Sequence, residues 1–459
     1  MNIEVDRLES RLITDDTKLL KALIDLYTFN VPNAFYSSAY KKGWNGKKSF
    51  ISNNGKFKTG LLHSILSNLA KINVYPDLNY CYEVNDIQIP SKIELQNFNL
   101  RDYQVDLLRK ALTNKRGIVF APTSAGKTAI IAYLLQQFLD RSSLMLFNRT
   151  QLLVQTYEFL TKTIKLDNIG LAFGNGFIPA KHMLCTVQSL EKVLGTPAEY
   201  PDLLLVDEVH EFCTGKFTSK VITAFPTADY RFGFTGTLPE DDIKRHTLFG
   251  AFGPTLSSVT TQDLITSGFV AKPNIKILNI DYSNLNLQDL PLSSIESLDY
   301  QTLYSSAIVF NKYRNGLISK IVSTINHPNP KIVILTQSLE HAKILEELIP
   351  NSKKIEGSDS LEYRHKVIKW FKKENKTVLI GTNILQTGID IKEITHFIVA
   401  RALKSFVPTI QALGRALRKD KDDEVWVYDF YDRDKGILEK QSRSRIKAYK
   451  KEGHKVEII

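Results

Sequence analysis

The segment Ala121-Pro-Thr-Ser-Ala-Gly-Lys-Thr128 restricts most tightly what this chain can fold into. It follows a compact apolar run, Gly117–Ala121, and opens a helical pattern over Thr128–Leu139. A tight turn of small residues between a strand and a helix points backbone N–H groups and the helix N-terminus at one spot, which suits phosphate oxygens. Pro122, Thr123, Ser124, Ala125 and Gly126 would form the cradle. Lys127 would reach the β and γ phosphates, and the Thr128 hydroxyl is placed for Mg²⁺. Ala121 stands where the usual pattern has its first glycine. A chance Gly-Lys-Thr at a strand–helix junction is the competing reading, and the rest of the chain weighs against it.

Eighty residues beyond Lys127, the apolar run Leu203–Val206 ends in Asp207-Glu208-Val209-His210. A carboxylate at the C-terminal end of a strand beside a phosphate turn can hold Mg²⁺, directly or through water, and Asp207 fits that role. Glu208 is then the group to polarise an attacking water. Either acid alone would more simply cap a strand or a helix. With the phosphate turn at this separation, the pair points to a nucleoside triphosphate site.

Around these motifs the chain alternates short apolar runs with amphipathic helical stretches. Gly117–Ala121, Ser143–Phe147, Met183–Thr186 and Leu203–Val206 have the length of buried strands, and Thr128–Leu139 and Thr150–Lys162 the pattern of helices. A second such block carries strand-like runs at Lys331–Leu335, Thr377–Ile380, Phe397–Ala400 and Val425–Phe430. This alternation predicts an α/β chain with two tandem doubly wound parallel-sheet domains. The expected layout is a small N-terminal α+β accessory domain (1–92), a first α/β domain (93–268), a connector (269–305), a second α/β domain (306–432) and a basic C-terminal helix (433–459). At 459 residues, 43% hydrophobic and 24% charged, the composition is that of a globular protein. No apolar run reaches the length of a membrane span and no secretory leader is evident. Cys81, Cys185 and Cys213 lack the spacing of a zinc site or a disulfide framework. The expectation is a reduced cytoplasmic protein, monomeric, with no membrane partner.

The motifs fall in the order of a superfamily 2 helicase. Leu100-Arg101-Asp102-Tyr103-Gln104 resembles the adenine-reading segment, Asn148–Gln155 motif Ia, Thr186–Leu190 motif Ic, Asp207–His210 a DExH motif II, and Phe234-Thr-Gly-Thr-Leu238 motif III. Gly381–Asp390 is similar to motif V, and Gln411-Ala-Leu-Gly-Arg-Ala-Leu-Arg418 to motif VI. The pattern spans about 320 residues and, within the superfamily, looks closest to phage UvsW-type recombination helicases and to repair helicases of the XPB kind. The resemblance implies RecA-like domains, ATP and Mg²⁺, and 3′-to-5′ work on branched DNA: forks, displacement loops and four-way junctions. Other recombination or replication proteins are implied as possible partners. An RNA helicase, or a duplex translocase that does not separate strands, is the alternative.

Carried onto this sequence, the resemblance makes Arg101 and Gln104 adenine-side residues. Arg415 and Arg418 become arginine fingers, Gln411 a γ-phosphate sensor, and Gly388 and Asp390 nucleotide-side residues of the second domain. His210, Thr235 and Thr237 would couple hydrolysis to movement. Arg149, Thr186 and Thr382 correspond to positions that grip the nucleic-acid backbone. The net charge of +11 favours a polyanionic partner. Residues 41–58 hold six lysines and no acid, with Trp44, Phe50 and Phe57 between them. Lys41, Lys42, Lys47 and Lys48 could meet phosphates while Trp44 meets a base. A solvated hairpin whose aromatics fill a small core is the equal alternative. For the C-terminal helix, a solvated face is the simpler expectation.

Overall fold

The computed structural model of this chain describes residues 1–83, 86–122, 125–212, 225–270, 273–281, 299–382, 393–402, 424–433 and 436–459. The chain forms two compact units. One comprises Met1–Ala121 and Gly126–Val259, the other Thr260–Ile459 together with Pro122–Ala125.

The first unit begins with a small α+β layer. Strands β1 (Asn2–Val5), β2 (Glu9–Ile13), β5 (Lys56–Lys58) and β6 (Asp77–Tyr80) form a sheet of order β5-β2-β1-β6, and β3 (Thr28–Asn30) pairs antiparallel with β4 (Lys47–Ser49). Ile3, Val5 and Leu12 alternate inward from β1 and β2 and meet Leu23, Phe57, Ile65 and Leu69 in one core. Asp16 caps the helix Thr17–Leu26 by accepting from the Lys18 and Leu19 N–H groups.

Next comes an eight-stranded sheet. Its strands are β7 (Arg116–Phe120), β8 (Ser143–Phe147), β9 (Ile169–Phe173), β10 (Gly176–Ile178), β11 (His182–Thr186), β12 (Leu203–Val206), β13 (Tyr230–Thr235) and β14 (Thr255–Ser258), in the order β10-β9-β11-β8-β12-β13-β7-β14. All pairs are parallel except that of the edge strand β10. β8, β11, β12 and β13 are buried along their whole length. That is why β8 and β12 read as nearly continuous apolar runs rather than alternations, while β13 buries Arg231 among its aromatics. The helix Lys127–Gln136 is apolar almost all round because it lies inside this packing.

The N-terminal layer belongs to the same unit and is seated on the helix Asp242–Phe252. His246 packs edge-on against Tyr27 and tilted against Phe29 and Phe50, with ring centroids 6.0, 4.3 and 5.5 Å away. Gly60 passes so close that a β-carbon there would stand 2.1 Å from the Phe249 carbonyl oxygen. Arg7 pairs with the largely buried Asp229 at 2.8 Å. Phe29 and Phe50 thus pack on the helix of the neighbouring sheet layer, while Phe57 fills the local core.

The second unit is a seven-stranded sheet, parallel throughout among the described residues. Strands β15 (Pro273–Asp281), β16 (Lys331–Leu335), β17 (Ser352–Ile355), β18 (Thr377–Gly381), β19 (His396–Val399), β20 (Val425–Arg433) and β21 (Val456–Ile458) lie in the order β17-β18-β16-β19-β20-β15-β21. One expectation changes here. The connector at 269–305 contains β15, which pairs with β20 over nine residues and buries Ile275, Ile277 and Ile280. Its mixture of polar and apolar residues hid a strand flanked on both sides. The C-terminal segment exposes Arg443, Ser444 and Lys447 but has a buried face as well. The helix Ile437–Lys451 buries Leu438, Ser442, Arg445 and Tyr449, and β21 then extends the sheet. No helix among the described residues is long and apolar enough to cross a membrane.

Candidate nucleotide site and the sheet edge beside it

Since β7, β8, β11, β12 and β13 run parallel, the segments that follow them emerge at one edge of the sheet. These are the segments at Ala121, Asn148, Thr186, Asp207 and Thr235. The edge is held in register by the backbone: Ala121 N–H donates to the Thr235 carbonyl (2.9 Å) and Asp207 N–H to that of Leu146 (3.0 Å). Ligands of open α/β sheets bind outside the carboxyl ends of the strands, which is where these motifs stand.

At the phosphate turn, Gly126 caps the helix in the left-handed region, φ +72°. Glycine suits that backbone conformation, and a β-carbon there would also come within 2.6 Å of the Gln104 amide nitrogen, displacing the end of that side chain. Gln104, 2% exposed, ties the turn to the preceding helix. Its Oε1 accepts from the Arg101 N–H at 2.9 Å and its Nε2 donates to the Gly126 carbonyl at 3.5 Å. Arg101 turns its guanidinium to the Tyr103 hydroxyl, 2.9 Å away. Gln104 is therefore a buried brace of the turn as well as a member of the segment that the sequence assigned to the adenine side.

Lys127 is largely buried, its Nζ 3.3 Å from the Ala121 carbonyl and 3.7 Å from Glu208 Oε1. A polar chain continues from there. Glu208 Oε2 lies 3.4 Å from His210 Nδ1, and that nitrogen lies 2.8 Å from the Thr235 hydroxyl. The hydroxyl donates to the Thr237 carbonyl at 2.7 Å and accepts from the Thr237 N–H at 3.1 Å. With its own proton committed, the Thr235 hydroxyl can only accept from His210, so Nδ1 carries the hydrogen. One line of contacts thus joins the phosphate-turn lysine to the loop after β13. Glu208 holds φ +46°, a region glutamate rarely visits, and strain of this kind gathers at functional sites.

Thr128 and Asp207 are both part-exposed and bring a hydroxyl and a carboxylate, the hard oxygen donors that Mg²⁺ takes. Along the same edge, Arg149 follows β8 and pairs with Glu211 at 3.3 Å. Thr186 arrives as expected, but it is 3% exposed and its hydroxyl donates to Ser189 Oγ, so the side chain is turned inward. Sequence reasoning passed over Asn148 and Glu211; a further acid directly after DEVH was the available signal. In the second unit, Thr382 follows β18 and is nearly buried. Thr123, Ser124, Gly388, Asp390, Gln411, Arg415 and Arg418 lie outside the described residues.

On the β3–β4 hairpin, Lys41, Lys42 and Lys47 are exposed, while Lys48 is part-buried 4.9 Å from the Phe50 ring, where desolvation lowers its pKa. Trp44 donates its indole N–H to the Lys47 carbonyl at 3.0 Å. Phe57 fills the core, and Lys56 and Lys58 flank Glu9 at 3.3 and 3.5 Å. Its aromatics are thus largely structural, and of its lysines only Lys48 is part-buried, Lys56 and Lys58 being exposed but paired with Glu9.

Two family models match this chain: "Type III restriction enzyme, res subunit" over residues 97–240 and "Helicase conserved C-terminal domain" over residues 314–420. Together they span more than half of it, and the chain belongs to the superfamily 2 helicases, ATP-dependent motors built from two RecA-like domains. Among curated proteins it is similar to the ATP-dependent DNA helicase uvsW of Enterobacteria phage T4, 24% identical over 93% of this chain and 89% of that one. It is also similar to the DNA 3′-5′ translocase XPB2 of Sulfurisphaera tokodaii, 23% identical over 73% of this chain and 82% of that one. The solved structure of S. cerevisiae Dbp5 bound to RNA and ADP BeF3 shares the fold, with a TM-score of 0.53, 16% identity, and cover of 77% of this chain and 89% of that chain.

Proposed function

We propose that this protein is an ATP-driven DNA helicase or translocase that remodels branched DNA, moving 3′ to 5′. The observation that carries the reading is the line Lys127–Glu208–His210–Thr235, which runs from the phosphate turn along the sheet edge. Lys127 takes the β and γ phosphates of ATP in place of its present carbonyl and carboxylate partners. Glu208, released from Lys127, orients the attacking water and accepts its proton. Mg²⁺ held by Thr128 and Asp207 would neutralise charge on the phosphates. His210 and Thr235 carry the change at Glu208 into the loop after β13. Arg415 and Arg418 act as arginine fingers, with Gln411 sensing the γ phosphate. Arg149 and Thr382 grip the sugar–phosphate backbone without reading bases, so binding is independent of sequence. The branched-DNA and 3′-to-5′ assignments rest on likeness to the phage and archaeal relatives; a monomer suffices, since one chain carries both motor domains.

The test is steady-state ATP hydrolysis by the full chain with no nucleic acid, single-stranded DNA, blunt duplex, a model fork or single-stranded RNA, beside Lys127→Ala. Strongest stimulation by the fork is expected, with none in the variant. Stimulation by RNA alone would overturn the DNA assignment and leave the motor assignment standing.

A further inference from the structure

Glu211 lies in the turn Val209–Phe212, immediately after the motif II acids. Both of its carboxylate oxygens are taken by residues from the end of the adjacent strand β8. Arg149 Nη2 lies 3.3 Å from Oε1, and the Asn148 amide donates to Oε2. The same residue's N–H donates to the Glu208 carbonyl at 2.9 Å, so Glu211 is bonded directly to the residue proposed to orient water. Glu208 is in turn held at φ +46° with its carboxylate between Lys127 and His210. The Arg149 side chain is 40% exposed, open to a ligand from solvent.

We infer that Glu211 is a positioning residue that makes hydrolysis depend on an occupied track: its carboxylate holds Arg149 until a polynucleotide phosphate displaces it. This rests on the proposed role of Arg149 as a backbone contact. A guanidinium fork fits a carboxylate and a phosphate by the same geometry, so the two ligands compete for it. A polynucleotide wins because phosphate binding also releases its condensed counterions, a gain that an intramolecular carboxylate lacks. Once Arg149 is drawn away, Glu211 is tied to the end of β8 through Asn148 alone, and the loosened turn lets Glu208 leave its strained, Lys127-bound position and turn toward water. The polynucleotide binds the released arrangement better than the latched one, which is the differential affinity a switch requires.

The experiment compares the full-length chain with Glu211→Gln, which keeps the shape and removes the charge. ATP hydrolysis is measured without nucleic acid and then against rising single-stranded DNA. The unstimulated rate of the variant should rise about five-fold or more, the lower end of ordinary coupling, and half-maximal activation should need correspondingly less DNA. An unstimulated rate equal to or below the parent's, or an unmoved activation midpoint, would overturn the inference. Should Glu211→Gln fail to fold, Arg149→Lys keeps the charge but loses the fork and should likewise raise the unstimulated rate; no rise would refute the latch. If no nucleic acid stimulates the parent protein, the proposed function itself fails, which is a different result.

Discussion

At the scale of single residues, the site turns on Lys127 and Glu208, which neutralise each other across 3.7 Å until a phosphate intervenes. Lys127→Ala and Glu208→Gln should each lower kcat by at least about 10²-fold while leaving DNA binding near the parent value. Normal turnover in a clean preparation of either variant would refute the assignment. Thr235 makes a different prediction. Its hydroxyl accepts from His210 and from the Thr237 N–H, so it joins two motifs. Thr235→Val should hydrolyse ATP close to the parent rate yet displace little strand per ATP consumed. Equal reductions in hydrolysis and displacement would place Thr235 in the chemistry instead of the coupling. The motif residues themselves were legible in the sequence because each has its own chemical requirement. The Asn148–Glu211 hydrogen bond was not, since 63 residues separate its partners and nothing local demands the pairing.

At the scale of elements, the lysines of residues 41–58 divide by their neighbours. Lys41, Lys42 and Lys47 are exposed on the hairpin, whereas Lys56 and Lys58 share Glu9. Replacing the first three with Gln should weaken fork binding and reduce the slope of log affinity against log salt by about 0.9 for each phosphate no longer neutralised. The same change at Lys56 and Lys58 should leave that slope nearly where it was. Equal effects from both sets would mean the segment acts only through overall charge. The C-terminal helix makes a stability prediction. Arg445, 1% exposed, meets Asp429 at 3.0 Å and the Phe430 carbonyl at 2.7 Å, and the Tyr449 hydroxyl donates to the same aspartate at 3.1 Å. Asp429→Ala leaves the buried guanidinium with only the more distant Asp432 carboxylate, at 3.8 Å, and should cost about 3 kcal/mol of unfolding free energy in the second unit, read by denaturant titration. Arg443→Ala, which removes an exposed partner of Glu439, should leave the curve in place. A similar shift from both would show that the buried pair has no special weight.

At the scale of the whole molecule, two buried histidines set a pH dependence. His341 is fully buried, and its Nε2 donates to Asn315 Oδ1 at 2.9 Å. The Asn315 amide donates in turn to the Val309 carbonyl at 2.8 Å, which fixes the direction of that bond. Burial, aided by the charge of Arg314, pushes the His341 pKa down to about 3, and burial pushes His454 down to about 4. In the unfolded chain both titrate near ~6.5. Between those values the unfolded state takes up protons that the folded state refuses, so stability is fully present above about pH 6.5 and is lost as pH falls toward 4. The unfolding free energy of the parent should therefore fall more steeply over that interval than that of His341→Gln/His454→Gln. Identical slopes would mean that neither ring is held neutral by the fold.

The sequence alone determined the α/β class, the two RecA-like domains and the nucleotide-binding motifs, because each rests on a local pattern. Ser143–Phe147, Leu203–Val206 and Lys331–Leu335 are strands at the limits their apolar runs mark. The Gly-Lys-Thr turn needs only its own residues and the strand and helix beside it. Only the tertiary structure decided that β13 lies between β7 and β12, so that Thr235 stands beside both the phosphate turn and motif II. It likewise decided that Pro273–Asp281 and Val456–Ile458 complete the second sheet, and that the N-terminal aromatics close on His246. These are pairings between residues far apart in the chain. Their free energy comes from surfaces brought together on folding, and periodicity within one segment cannot specify which distant surface it will meet.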